Sequence, residues 1–235
     1  MVPKTHEQWQ ALDFKRLFAG RAAFLNMDAQ NSILSPEGCL THEGIWRGAR
    51  DEGGSFSNML KLAHTARRAG MHFAWLRYDR FIGEKEPTNE MDRVQYHYWN
   101  KEYRGDRARK DWECDLVPEV KAILREEDRN LIYPGWSVFT GTGLDRWLKQ
   151  WGVETLLISG YHTDWCIEMC TRHARELGYM PVVIGDACGS TQPLHGQTLE
   201  QLNNCYAPVI TTQAAIGYIE AGLRTDQKQM AGAAT

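Results

Sequence analysis

The sequence predicts an α/β fold in which one doubly wound parallel sheet carries helices on both faces. Two observations predict it. Short apolar runs that suit buried strands alternate along the chain with stretches whose apolar residues recur at helical spacing. This alternation continues without an internal repeat or a domain linker, so we expect a single domain over residues 21–225.

Six apolar runs are predicted to form the strands. In chain order they cover residues 22–27, 71–76, 130–133, 156–158, 181–184 and 207–211. The run at 156–158 suits a strand buried on both faces, and we place it at the centre of the sheet. Helical stripes fill the intervals, and they are predicted within residues 56–70, 116–124, 144–151, 166–177, 195–205 and 214–223.

Three segments flank or interrupt this core. Residues 1–20 are polar with a few aromatics and are predicted to form an arm that packs on the body or on a partner subunit. Residues 79–115 are long for a connection, and we expect either a substrate lid or an interface that supports a dimer. The aromatic residues there include Phe81, Tyr96, Tyr98, Trp99, Tyr103 and Trp112. Residues 226–235 are low in apolar content and are predicted to be a flexible tail.

The composition excludes several classes of partner. The 235-residue chain carries a formal net charge of -3, which favours neither nucleic acid nor an anionic membrane surface. No apolar run approaches the roughly 20 residues that span a bilayer, and the first residues lack the apolar stretch of a signal peptide. We therefore expect a soluble cytoplasmic protein that binds a small molecule. The six cysteines are scattered, which predicts free thiols rather than a disulfide framework.

Polar and reactive side chains follow several predicted strands. Asp28 comes after the first, Arg77 after the second, Tyr133 ends the third, and Cys166 lies at the turn into the helix after the fourth. Because the carboxyl ends of parallel strands meet at one edge of a sheet, we expect these residues to converge. Free N–H groups and the helix dipole at a first helical turn lower the pKa of a thiol and can bind an oxyanion. This combination predicts nucleophilic catalysis.

Two other interpretations of the cysteines are weaker. A lone cysteine is commonly a small buried apolar residue, and we assign Cys170, one helical turn after Cys166, to the core. Cys166, Cys170 and His173 lack the second ligand pair that a structural zinc site needs, so we predict no metal. His195 lies near a predicted helix start and is interpreted as a surface or capping residue.

Three motifs stand in an order that a known family shares. Asp-Ala-Gln-Asn at 28–31 is similar to an Asp-x-Gln-Asn signature that follows the first strand. Ser-Val-Phe-Thr-Gly-Thr-Gly-Leu-Asp at 137–145 is similar to a Ser-x-Phe-x-Gly-Thr-x-Leu-Asp loop. Gly-Tyr-His-Thr-Asp-Trp-Cys-Ile-Glu at 160–168 is similar to a Gly-x-x-Thr-(Asn/Asp)-x-Cys-Val-Glu turn. From about residue 20 to 222, the chain thus resembles the isochorismatase-like cysteine hydrolases.

The resemblance implies a three-layer α/β/α fold with a mostly parallel six-stranded sheet. It also implies hydrolysis of C–N bonds in small amides and carbamoyl compounds. We expect no cofactor. Carried over by position, Asp28 is the general base and Cys166 is the nucleophile. The backbone N–H groups of His162 and Cys166 form the oxyanion hole, and the Tyr161–His162 peptide bond is cis. Dimers and tetramers are common where such a resemblance holds, so a homodimer or homotetramer is expected.

One position departs from the family pattern. The lysine of the family's Asp-Lys-Cys triad lies four residues before the loop serine, and here that position is Tyr133. Tyrosine donates a hydrogen bond but carries no positive charge at neutral pH, whereas the lysine favours the ionised acid and the thiolate. The metal-site histidines of the nicotinamidase branch are also absent after the second strand, which again predicts no metal.

Six residues are predicted to bind the substrate, and the aromatic ones among them would shape a flat, apolar pocket. They are Gln30, Arg77, Trp136, Phe139, Tyr161 and Trp165. The leading hypothesis is a cysteine-dependent hydrolase that forms a thioester with a small amide, ureide or N-carbamoyl substrate. The alternative is a non-amidase member, because Tyr133 replaces the lysine. Such a member would be a vinyl-ether hydrolase that uses Asp28 as an acid, or a non-catalytic binding protein.

Overall fold

The structure, a computed structural model, describes residues 2–79, 89–91, 93–94 and 106–233, with side chains described as far as residue 224. Much of the 79–115 segment therefore lies outside the described residues, and the choice between a lid and an interface stays a prediction. Trp112 lies in a described helix. The other aromatic residues named for this segment lie outside the description, and they are Phe81, Tyr96, Tyr98, Trp99 and Tyr103.

Six parallel strands form the sheet, as predicted. They are β1 (Ala22–Met27), β2 (His72–Tyr78), β3 (Arg129–Tyr133), β4 (Thr155–Tyr161), β5 (Met180–Gly189) and β6 (Val209–Ile210). Their order across the sheet is β3-β2-β1-β4-β5-β6, and each neighbouring pair runs parallel. Chain order reverses between β1 and β4, where a doubly wound sheet opens a crevice at the carboxyl ends of its strands.

The register brings the ends of four strands to the same height. Met27 at the end of β1 pairs with Leu76 on one side and with Gly160 on the other. Tyr78 pairs with Tyr133 at the ends of β2 and β3. The residue after β1, the end of β3 and the turn after β4 therefore meet at one edge of the sheet.

Helices cover both faces of the sheet and produce the three layers. They are α1 (Phe14–Phe18), α2 (Asn31–Leu34), α3 (Ser55–Arg68), α4 (Arg107–Glu113), α5 (Pro118–Lys121), α6 (Leu144–Gln150), α7 (Glu168–Glu176), α8 (Leu194–Gln201) and α9 (Thr212–Ala233). Phe24 and Leu157 face a core shared with α1, α3 and α9. Leu25 and Ile158 face the opposite core, shared with α6, α7 and α8, because successive strand residues point to opposite faces.

Several boundaries differ from the predicted ones. Strand β2 continues to Tyr78, so Arg77 lies inside the strand rather than after it. Strand β5 continues to Gly189, since Asp186 is satisfied there by the backbone N–H and the hydroxyl of Thr212, at 2.6 and 2.8 Å. Strand β6 is shorter than predicted. Helix α9 continues to Ala233, beyond its predicted end, and the flexibility of the tail stays a prediction.

Residues of the predicted arm contact the body. Phe14 stacks on Tyr218 of α9 with ring centroids 5.1 Å apart. Trp9 Nε1 donates a hydrogen bond of 2.5 Å to the backbone oxygen of Asn203. Whether the arm also meets a partner subunit stays a prediction.

All six cysteines are free thiols, as the sequence predicts. Only Cys205 among them is exposed to solvent. Within the described part of the chain, no helix combines the length and the apolar character needed to cross a bilayer.

Candidate active site

Asp28 follows β1 at the switch point of the sheet and is almost fully buried. Its backbone takes a left-handed conformation with φ 59°, which aspartate tolerates better than most residues. Oδ1 accepts a hydrogen bond of 2.9 Å from the backbone N–H of Tyr78, and Oδ2 accepts one of 2.6 Å from the hydroxyl of Tyr133. Strands β2 and β3 thus each supply one donor to the carboxylate.

Tyr133 occupies the position where the family pattern has a lysine. Its side chain is fully buried at the end of β3, and its ring lies 5.5 Å from that of Tyr78. Burial first, and then the negative charge of Asp28, raise the pKa of Tyr133 well above its ordinary value. Tyr133 is therefore a neutral hydrogen-bond donor at the pH where enzymes work.

Cys166 lies in the turn between β4 and α7. This turn, Thr163–Ile167, is π-helical, and the regular α-helix begins only at Glu168, later than predicted. Cys166 and Asp28 line the same cavity, and Asp28 and Tyr133 both affect the pKa of the thiol, so the three side chains form one cluster. The structure thus places Asp28, Tyr133 and Cys166 together, as predicted from the sequence.

The prediction that the pKa of Cys166 is lowered is wrong. Burial raises its pKa well above the ordinary value, and the negative charge of Asp28 raises it further. The hydrogen bond with Tyr133 opposes these two effects without reversing them. The physical reason is that the thiol is surrounded by protein rather than water, beside an acid, so burial outweighs the stabilisation expected at a helix start.

The pKa of Asp28 is raised to about 6 from its ordinary value of 3.8, because the carboxyl is buried. Hydrogen bonds from Tyr133, Cys166 and the backbone N–H of Tyr78 oppose this effect, and so does the charge of His162. At neutral pH the carboxylate form therefore prevails. Asp28 is placed to accept the proton of the Cys166 thiol.

Side chains from outside the cluster support the cysteine turn. The Tyr161–His162 peptide bond is cis, as the resemblance implies. The Thr163 hydroxyl lies 2.8 Å from Nδ1 of His195, and the Ser190 hydroxyl donates a hydrogen bond to Asp164. His195 was interpreted as a surface or capping residue, but its ring faces the turn that carries Cys166. The oxyanion-hole role of the His162 and Cys166 N–H groups stays a prediction.

A small cavity of about 20 Å³ opens beside Asp28 and Cys166. Aromatic rings form much of its wall. The Trp136 ring lies 6.2 Å from Tyr78 and 6.0 Å from Trp165 between ring centroids. The cavity has room for about one water molecule, so a substrate enters only when wall side chains move. The Trp136 side chain is 37% exposed, so this part of the wall faces solvent.

The predicted substrate-binding residues divide into two groups. Gln30, Trp136 and Trp165 line the cavity. The Gln30 side-chain amide, however, forms hydrogen bonds with backbone groups. Its Nε2 donates to the backbone oxygens of Tyr78 and Cys114 at 3.0 and 2.9 Å, and its Oε1 accepts a hydrogen bond from the backbone N–H of Tyr78. Its two amide hydrogens are therefore occupied by the protein, and its role is to hold the site together.

The other three predicted residues do not line the cavity, which corrects the sequence analysis. Arg77 points away because Nε donates to Asn130 at 2.9 Å and the guanidinium pairs with Asp115. The Tyr161 ring enters the core on the α3 face, where its hydroxyl shares a hydrogen bond of 3.0 Å with Ser55. Phe139 enters the opposite core and stacks on Tyr179.

One side-chain pair at the cavity was not predicted from the sequence. The His162 ring lines the cavity, and its Nε2 lies 2.5 Å from Oε2 of Glu43. The position of His162 four residues before Cys166 was a signal for its side chain as well as its backbone. Glu43 ends a short 3-10 helix, Thr41–Glu43, far away in sequence, and offered no signal.

The described residues contain no group of three or more histidine, cysteine, aspartate or glutamate side chains placed to hold a metal ion. The expectation that no metal is required concerns the reaction, and it stays a prediction.

Fold and site together define an α/β protein with an acid–thiol pair at the topological switch point of its sheet. Comparison with known proteins then identifies the family. The model of the isochorismatase domain matches residues 22–214. The chain belongs to the isochorismatase family, as its motifs predicted.

Similar proteins share much of the chain. Ureidoacrylate amidohydrolase RutB from Serratia proteamaculans (strain 568) is 34% identical over 183 residues, which are 74% of this chain and 72% of that protein. RutB from Pantoea ananatis (strain LMG 20103) is 29% identical over 75% of this chain and 72% of its own. The crystal structure of a cysteine hydrolase from Pseudomonas syringae pv. phaseolicola 1448A has a TM-score of 0.70 at 20% identity, covering 94% of this chain and 100% of that chain. This last likeness supports the fold.

Proposed function

We propose that this protein is a hydrolase that breaks the C–N bond of a small amide, ureide or N-carbamoyl compound through a thioester at Cys166. Membership of the isochorismatase family and similarity to ureidoacrylate amidohydrolases support an enzyme that hydrolyses C–N bonds. The observation that carries the proposal is the cluster of Asp28, Tyr133 and Cys166. Its acid and its thiol are buried in contact with one cavity.

The reaction begins with a neutral thiol. As Cys166 attacks the carbonyl carbon, its proton passes to Asp28, and the oxyanion is stabilised by the N–H groups of His162 and Cys166. Asp28 then gives the proton to the departing amine, which leaves a thioester on Cys166. A water molecule loses its proton to Asp28 and attacks the thioester. The acid product leaves, and the proton returns to the sulfur.

Tyr133 holds the carboxylate during these transfers. Because Tyr133 stays neutral, its hydrogen bond fixes the orientation of Asp28 without preventing the carboxyl from taking a proton. A lysine at the same position would favour the carboxylate more strongly. The base in this protein is thus stronger than a lysine-paired aspartate would be, which compensates for the raised pKa of the thiol.

The wall of the cavity favours a flat substrate. Tyr78, Trp136 and Trp165 present ring surfaces, on which a planar amide or ureide stacks with little loss of conformational freedom. RutB is named for its action on ureidoacrylate, which is a planar ureide. We propose a substrate of this shape, with a primary amide or carbamoyl end directed to Cys166.

The test is ammonia release from a panel of small amides, ureides and N-carbamoyl compounds. Cys166→Ala is expected to abolish release. Cys170→Ala is the matched control, since Cys170 is a buried thiol one helical turn further on, and this variant is expected to retain activity. Full activity in Cys166→Ala would overturn the proposal.

A second candidate function is favoured by the pKa of Asp28. A carboxyl with a pKa of about 6 keeps part of its proton near neutrality, and the raised pKa of Cys166 keeps the thiol protonated. Both conditions suit a vinyl-ether hydrolase in which Asp28 is the acid, or a protein that binds a small molecule without reaction. A vinyl-ether activity that survives Cys166→Ala but not Asp28→Asn identifies the first of these.

We also propose that the protein acts in the cytoplasm as a homodimer or homotetramer. Its six free thiols suit a reducing compartment. Light scattering on the full chain measures the assembly, and a monomer at micromolar concentration contradicts this part of the proposal.

A further inference from the structure

A paired histidine and glutamate lie in the wall of the cavity, and the reaction described above gives their side chains no role. Nε2 of His162 is 2.5 Å from Oε2 of Glu43. Both side chains are withdrawn from water, with 4% of His162 and 12% of Glu43 exposed. The His162 ring also packs on Trp165 at 4.5 Å between centroids. Removing two such groups from water is unfavourable unless they pair, so the fold holds this imidazole by means of a carboxylate.

His162 lies beside the acid and the thiol. Its side chain lines the same cavity as Asp28 and Cys166. Among the cavity-lining residues of the described ranges, His162 is the one whose side chain can carry a positive charge. The Tyr133 phenol is neutral, and Arg77 is engaged with Asn130 and Asp115. Among the described residues that line the cavity, His162 is therefore the one from which a positive charge can act on Asp28.

The His162 and Glu43 side chains have a fixed arrangement relative to Asp28. Nε2 of His162 faces Oε2 of Glu43, so a proton on Nε2 lies between the imidazole and the carboxylate. Nε2 faces Glu43, while the ring forms part of the wall next to Asp28. A positive group near a carboxylate favours its ionised form. Consistent with this arrangement, the charge of His162 lowers the pKa of Asp28 against the effect of burial.

We infer that the His162–Glu43 pair is a positioning element that keeps Asp28 ionised, so that the carboxylate can take the proton of Cys166. The importance of this pair for catalysis rests on the proposed function, but its effect on the charge of Asp28 does not. His162 acts through Asp28, and Glu43 acts through His162.

Several other titratable and polar groups surround this pair. Asp28 also meets the Tyr133 hydroxyl, the Cys166 thiol and the backbone N–H of Tyr78, and its charge reaches Cys170. Next to His162 along the turn, the Thr163 hydroxyl is engaged with His195, and Asp164 with Ser190. Among these groups, the acids and thiols cannot supply a positive charge, and the His195 ring faces the hydroxyl of Thr163.

The test follows the protonation of Asp28 in substrate-free protein by infrared spectroscopy, with the carboxyl band assigned by its loss in Asp28→Asn. The wild-type midpoint is expected at about pH 6. In His162→Gln, whose amide can still donate to Glu43, the midpoint is expected to rise by about half a pH unit, because the charge of His162 lowers the pKa of Asp28 less than the hydrogen bond from Tyr133 does. The acidic limb of kcat/KM is expected to move with it, which lowers kcat/KM about threefold at about pH 5.

A matched control and a second variant make the test decisive. His42→Gln makes the same change at an exposed residue next to Glu43, and it is expected to leave the midpoint unchanged. Glu43→Gln keeps the ring but removes its anion, so it is expected to raise the midpoint in the same direction. This variant carries the test if His162→Gln does not fold.

The outcomes separate the two proposals. An unchanged midpoint in His162→Gln or in folded Glu43→Gln overturns the inference, even if ammonia release depends on Cys166. A uniform loss of activity with an unmoved acidic limb also overturns it, because it shows a merely structural role. A raised midpoint without hydrolysis of any substrate upholds the pair's effect on Asp28 and rejects the proposed function.

Discussion

The hydroxyl of Tyr133 donates a hydrogen bond of 2.6 Å to Oδ2 of Asp28, joining the end of β3 to the residue that follows β1. Both side chains are buried. A phenol holds a carboxylate in place without bringing a charge, so burial dominates and the pKa of Asp28 rises to about 6. The acid of the site therefore titrates close to neutral pH, and the behaviour of the protein is expected to depend on pH in that range.

The first prediction concerns stability. Because the folded pKa of Asp28, about 6, exceeds its ordinary value of 3.8, the carboxyl stabilises the fold most below the ordinary value, and this contribution is lost as pH rises through about 6. The loss relative to Asp28→Asn amounts to about 3 kcal/mol. Urea unfolding of both proteins between about pH 4 and pH 8 measures it.

Asp51→Asn is the control, because Asp51 is exposed, and its stability is expected to follow that of the wild type. A difference between wild type and Asp28→Asn that does not change with pH would contradict the raised pKa of Asp28.

The second prediction concerns Tyr133→Phe. The hydrogen bond from Tyr133 lowers the pKa of Asp28, so its loss is expected to move the acidic limb of kcat/KM upward by about one pH unit. Tyr179→Phe is the matched control, since Tyr179 makes a similar bond of 2.8 Å to Asp145 away from the cavity. Equal shifts in the two variants would show that Tyr133 has no special relation to the base.

The third prediction concerns Tyr133→Lys. A lysine adds a positive charge beside Asp28 and Cys166, so it is expected to lower the pKa of both groups. The acidic limb of kcat/KM then moves to lower pH, and Cys166 reacts faster with iodoacetamide. Increased hydrolysis of simple amides would mean that Tyr133 marks a lost activity, whereas decreased hydrolysis would mean that the site is adapted to tyrosine.

The fourth prediction concerns thiol reactivity. The pKa of Cys166 is raised and its sulfur is buried, whereas Cys205 is exposed. Cys205 is therefore expected to react with iodoacetamide faster than Cys166 at neutral pH, with the gap narrowing as pH rises. Mass spectrometry of labelled peptides measures both rates. Faster labelling of Cys166 at neutral pH would restore the sequence-based prediction of an activated thiol.

The fifth prediction concerns Gly160, which lies in β4 with φ 124°. A Cβ there would lie 2.0 Å from the backbone oxygen of Met27, so the central strands would have to separate. Gly160→Ala is expected to reduce the free energy of unfolding by about 3 kcal/mol or more. Gly217→Ala, in open space on α9, is expected to raise it slightly, by about 0.5 kcal/mol. Denaturant unfolding compares the two variants, and equal stabilities would contradict the close approach.

The strands and the central cluster could be predicted because simple rules control them. Strand β1 begins and ends where its apolar run does, and the rule that parallel strands end at one edge correctly grouped Asp28, Tyr133 and Cys166. The longer β5 could not be predicted, because its polar extension depends on a hydrogen bond between Asp186 and Thr212 from another part of the chain.

The face of the sheet toward which a side chain points was harder to predict than the position of its residue along the strand. Arg77 and Tyr161 are both close to the correct edge, but alternation along a strand turns them away from the cavity. The pairing of His162 with Glu43 joins segments that are distant in sequence, and no local sequence pattern predicts it. The predicted direction of the pKa shift of Cys166 was wrong because a helix start lowers the pKa of a thiol whereas burial raises it. Only the structure shows the extent of burial.

Gln30 holds both ends of the stretch that lies between Tyr78 and Cys114, since its amide bonds the backbone of each. These bonds reach the backbone of Tyr78 and Cys114, so they do not depend on the side chains of the stretch, and Asp28 lies two positions before Gln30. Replacing the stretch between these two anchors would show whether it decides what the protein accepts, because the acid and the thiol lie outside it.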